Sequence, residues 1–199
     1  MACAWMALMG IFVLPEGYKE LMRVNLQKDK KLALLINIAA GVTALLLIFV
    51  GLVVQAVSFE INTDELPAVL SGLLVFIVAV IGYIIAHELI HGVFIKKFSG
   101  KKAKYGLTAL GAYAGSDAYF NKGPYLIIAL APVVIFGVIF LLLNIFLSAR
   151  WFWPIYCLQI LNLSGAVGDW YITYRASKVP ADALVRDEGV EIVFYGCSH

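Results

Sequence analysis

The sequence predicts an all-α integral membrane protein with about four transmembrane helices and both termini cytoplasmic. Three observations predict it. The 199-residue chain is 62% hydrophobic and only 14% charged, with a mean hydropathy of +0.91, whereas a soluble domain carries roughly 25% charged residues. Four apolar stretches each reach ~20 residues or more, the length that crosses a ~30 Å hydrocarbon core. The basic residues fall almost entirely on one side of those stretches.

Residues 1–31 form an N-terminal segment. Met1 to Leu14 is apolar but too short to span, and it lacks the basic start of a cleaved signal peptide. It reads as an interfacial or re-entrant piece, broken by Pro15-Glu16-Gly17. A core of 32–174 follows. Its first span covers about 32–54, after Lys30-Lys31, and its second about 67–94, with Pro67 suited to a first helical turn. The third covers about 124–147 and contains Pro132. The fourth covers about 153–174, with Trp151 and Trp153 marking the outer interface. Residues 175–199 read as a cytoplasmic tail.

Of the 15 basic residues, only Arg150 lies on the outer side of these spans, so the positive-inside rule sets the orientation. The membrane expected is of the bacterial cytoplasmic type. The basic loops could attract anionic lipid, but topology alone explains them, and no nucleic-acid partner is expected. The loop 100–123 is glycine-punctuated and rather apolar from Lys104 to Tyr113. It reads as a short membrane-apposed hairpin or irregular segment beside the functional site, since such backbone needs protein or water partners near lipid. Cysteines at 3, 157 and 197 have no pattern that points to a disulfide framework.

The second span contains His87-Glu88-Leu89-Ile90-His91. Histidines four apart on a helix point the same way, which suits one zinc ion, and Glu88 beside them is placed to act as general base. Ionisable groups at membrane depth are expensive and usually functional. The bland alternative is a pair of helix-packing histidines with a partnered Glu88. Nine residues separate His87 from Lys96, ~13 Å of helix, so the pair lies toward the cytoplasmic face. A catalytic zinc takes three protein ligands and keeps one position open. Asp169, the one acidic residue of the fourth span, leads for the third position. It precedes Arg175 by six residues, ~9 Å, at about the depth of the histidines. It could instead pair with Arg175 or Lys178, and Asp117, Glu191 and His199 are rival ligands. Asn162, two turns before Asp169, could bind substrate or an oxyanion, or equally bridge two helices.

These residues resemble the site-2 protease class of intramembrane zinc metalloproteases, and especially its short DUF3267 branch of membrane zincins. The resemblance is carried by His87-Glu88-Leu89-Ile90-His91-Gly92, by Leu130-Ala131-Pro132 and by Asp169, across roughly 82–174. It implies one zinc per chain held by His87, His91 and Asp169, with Glu88 as general base and the metal toward the cytoplasmic side. Trp170 stands where the larger class carries a glycine. The function expected is zinc-dependent hydrolysis of a peptide bond in or near a membrane segment. The partners expected are the lipid bilayer and a membrane-embedded or membrane-adjacent polypeptide substrate. The alternative is a non-catalytic metal-binding membrane protein with a structural or partner-binding role. A metal carrier or sensor is disfavoured by the single compact site, and a prenyl-protein-type protease by the lack of a downstream glutamate within a helix.

Overall fold

The structure, a computed structural model, describes residues 10–25, 27–55, 66–108 and 111–197. Helices α1 (Lys30–Val54), α2 (Leu66–Ser99) and α3 (Lys122–Phe146) are long and apolar enough to cross a membrane. The Asp29 carboxylate accepts the Leu32 N–H at 3.0 Å and so caps α1. Leu34, Leu45 and Phe49 of α1 stay more than half exposed, the pattern of a helix whose solvent is lipid. Helix α2 has 34 residues, roughly 51 Å of helix, longer than the hydrocarbon core requires. Its last turns carry Lys96 and Lys97, and there Phe94, Ile95 and Phe98 join the core of the rest of the protein.

The fourth expected span is broken. Helix α4 (Phe152–Gly165) ends at Ala166 and α5 (Val167–Ser177) starts immediately after it. A three-residue 3-10 turn, Ala149–Trp151, leads into α4. Gly51 lets α4 approach α1: a side chain there would meet the Tyr156 ring, whose hydroxyl donates to the Leu47 carbonyl at 2.7 Å.

The all-α expectation is overturned by six strands. Strands β1 (Tyr18–Asn25), β4 (Tyr119–Asn121), β5 (Leu184–Asp187) and β6 (Glu191–Cys197) form an antiparallel sheet in the order β1-β6-β5-β4. Strands β2 (Lys104–Thr108) and β3 (Gly111–Gly115) form a separate hairpin. The segments on either side of the helical region thus pair with each other, from Tyr18 opposite Cys197 to Asn25 opposite Glu191. A register shift between Glu20 and Met22 leaves Leu21 as a bulge. The physical reason is visible in the side chains. Val24 of β1 and Ile192, Val193 and Phe194 of β6 are buried, so these strands carry apolar side chains that pairing brings into a core.

That core joins sheet to helices. Phe120, Val185 and Phe194 pack with Ile95 of α2, Tyr125 and Ile128 of α3, and Ile172 and Ala176 of α5. The sheet therefore closes over the ends of α2, α3 and α5. Residues 10–11 add to its edge through a bridge between Ile11 and Tyr119. The rest of the expected interfacial segment, 1–9, lies outside the described residues. Cys157 is free, and Cys197 is disulfide-bonded, a bridge to which the cysteine pattern in the sequence does not point.

Candidate metal centre

His87 and His91 occupy successive turns of α2 and are both buried. Their 3.6-residue periodicity turns both rings toward one cleft. Asp169 reaches that cleft from the first turn of α5. The break at Ala166 is what makes this possible: a new helix starts there and carries the carboxylate in its first turn. Gly165 and Gly168 flank the break and line the cleft with open space around them.

His87 Nε2 lies 3.6 Å from Asp169 Oδ2, and His91 Nε2 lies 3.9 Å from Asp169 Oδ1. These separations exceed hydrogen-bond length. They are close to the roughly 3.3–3.5 Å between two atoms bound tetrahedrally to one zinc at about 2.0–2.2 Å. One ligand atom from each of the three residues lies within 4.8 Å of the others, and among the described residues this is the one such group. The donor set, two imidazoles and a carboxylate, suits zinc. The residues present therefore fit the metal.

Glu88 is half-buried and lines the same cleft, whose volume is about 410 Å³. Ile84, Leu161 and Ile172 give the cleft an apolar wall, and Thr108, Ala112 and Tyr113 of the β2–β3 hairpin close another side. Arg175 does not take Asp169: it donates to the Tyr171 hydroxyl at 2.8 Å and packs on the Met22 sulfur. The rival ligands are held elsewhere. Asp117 pairs with Lys104 at 2.5 Å, and that hydrogen bond lowers its carboxyl pKa. Glu191 holds Arg23 at 2.5 Å and Asn25 at 3.1 Å. His199 lies outside the described residues.

Asn162 is fully buried, with both polar atoms engaged. Its Nδ2 donates to the Val133 carbonyl at 3.0 Å, and its Oδ1 accepts the Tyr83 hydroxyl at 3.1 Å. The structure thus places it between α2 and α3, one hydrogen-bonded step behind His87. Tyr83, one turn before His87, has its oxygen 3.2 Å from His87 Nδ1. His91 Nδ1 lies 2.8 Å from the Ile128 carbonyl.

Sequence reasoning missed Tyr83, Tyr125 and Asp187. The first carried a signal: a tyrosine four residues before a candidate ligand shares its face. The others did not, because they meet only in three dimensions. Tyr125 donates to Asp187 at 2.7 Å, and the Gly189 N–H caps the other carboxylate oxygen at 2.7 Å. Burial raises the Asp187 pKa against those two hydrogen bonds, which lower it.

Among known proteins, the family DUF3267, described as "putative zincin peptidase", matches residues 80–184. That stretch holds His87, Glu88, His91, Pro132, Asn162 and Asp169, but not β1, β6 or Asp187. A protein of Pyrococcus woesei, titled an uncharacterized 24.7 kDa protein in the gap 5' region, is 36% identical over 112 residues. The alignment takes in 53% of this chain and 48% of that protein, so the chain spans about half the length of the curated relative it matches. No solved structure matches. The family match covers more than half of the chain and encloses the whole histidine–aspartate cluster, and the chain belongs to the DUF3267 family.

Proposed function

We propose that the protein is a zinc-dependent endopeptidase that hydrolyses a peptide bond in or beside a membrane segment of a polypeptide substrate. The observation that carries this is the spacing of two imidazole nitrogens and a carboxylate around one point, with Glu88 in the same cleft. A zinc ion bound there supplies Lewis acidity, lowering the pKa of a water and polarising a carbonyl.

The protein's own groups do the rest. Glu88, next to His87 in sequence, takes a proton from the attacking water as its oxygen bonds to the scissile carbonyl carbon. It returns that proton to the leaving nitrogen as the C–N bond breaks, so the step balances without another acid. The apolar walls of the cleft suit an apolar segment and exclude bulk water. A helical substrate must unwind first, because its carbonyls are already hydrogen-bonded. The β3 residues along the cleft support pairing of the unwound strand with this hairpin. A structural site would be expected to close with four protein ligands, whereas the cluster among the described residues offers three.

Glu88→Gln tests the reading. Reconstituted in liposomes with single-span reporter peptides, the variant should keep its zinc and lose cleavage by about 10²–10⁴-fold. Loss of zinc in the variant would put Glu88 among the ligands. Unchanged cleavage would remove it from the mechanism.

A further inference from the structure

In an α-helix the carbonyl of residue i accepts the N–H of residue i+4. For Ile128 that residue is Pro132, which has no N–H. Pro132 lies inside α3, fully buried, so water does not replace the missing donor. The Ile128 carbonyl instead meets His91 Nδ1 at 2.8 Å.

We infer that Pro132 is a positioning residue for the metal centre: by withholding a backbone N–H it reserves the Ile128 carbonyl for His91. A carbonyl only accepts, so His91 Nδ1 must carry the proton. That leaves the lone pair of the neutral ring on Nε2, the nitrogen that faces Asp169. His87 is held in the same sense. Tyr83 spends its one proton on Asn162 Oδ1, so its oxygen accepts from His87 Nδ1, and Asn162 Nδ2 donates onward to Val133. Helix α3 thus sets both tautomers from behind, through carbonyls 128 and 133. Partners of this kind orient metal-ligating histidines and raise their basicity. The proline serves this purpose through its missing donor; a bend in α3 alone would not require the freed carbonyl to meet an imidazole.

This inference rests on His87, His91 and Asp169 holding the metal. The test measures zinc affinity of the full chain in lipid nanodiscs, by competition with a chromogenic chelator. It compares wild type, Pro132→Ala and a chain with lactic acid at position 132, an ester that lacks the N–H without restoring the proline ring. Pro132→Ala should weaken zinc binding about tenfold or more, and the ester should recover to within about threefold of wild type. Unchanged affinity in Pro132→Ala overturns the inference, and so does equal loss in both variants, which would assign the effect to the ring's shape. A wild type that binds no zinc would instead strike the metal-site reading itself. If Pro132→Ala does not fold, nitrogen-15 spectra of the zinc-free wild type decide at alkaline pH. A proton on Nδ1 of His91 supports the inference, and a proton on Nε2 overturns it.

Discussion

Asp169 and the two histidines are held by different means. The carboxylate owes its place to a helix start at Ala166, and the imidazoles owe theirs to hydrogen bonds at their rear nitrogens. Removing one rear contact tests the difference. Tyr83→Phe keeps the ring that packs on Phe136 and Phe140 but takes the acceptor from His87 and the donor from Asn162. Zinc affinity should fall by about tenfold, read by chelator competition, while cleft shape is retained. Unchanged affinity would make the Tyr83 contact incidental. At this scale much was legible. Two histidines four apart with a glutamate between them specify their own geometry once they lie on a helix. Asp169 stood out because a lone carboxylate in an apolar segment needs a partner. Asn162 stood out for the same reason, yet its role was not legible, because its partners Tyr83 and Val133 come from two other helices.

Among the elements, the helices followed from composition and the strands did not. Runs of ~20 apolar residues announce a span without reference to anything else. Strands of three to eight residues announce themselves only weakly, and β1 finds its partner β6 at the opposite end of the described chain. A signal was present in Ile192-Val193-Phe194-Tyr195 after Gly189, a β-branched and aromatic run behind a turn residue. The break between α4 and α5 was also hidden, since hydropathy continues through Gly165-Ala166-Val167-Gly168. The β2–β3 hairpin meets the sheet at Gly115. A methyl group there would sit 2.5 Å from the backbone carbonyl carbon of Glu188, next to the hydrogen bond from Ser116 N–H to the Asp187 carbonyl at 2.7 Å. Backbone cannot swing aside as a side chain can. Gly115→Ala should therefore cost about 1–3 kcal/mol of stability, seen as a lower melting temperature in detergent. An unchanged melting temperature would mean that the hairpin and the β5–β6 turn move independently.

At the scale of the whole molecule, the sheet packs on the ends of α2, α3 and α5, and the metal cluster lies just inside that junction. The basic residues Lys96, Lys97, Lys101 and Lys102 gather at the same end of α2. The cleft thus has one apolar wall from the helices and one wall from the β2–β3 hairpin. All of it depends on the three residues acting as one metal site. The direct measurement is zinc per chain, by elemental analysis of the purified protein, wild type beside His87→Ala and Asp169→Ala. The account predicts about one zinc in wild type and loss or strong weakening in both variants. Wild type without zinc under metal-replete, chelator-free conditions, or zinc fully retained in Asp169→Ala, would contradict it.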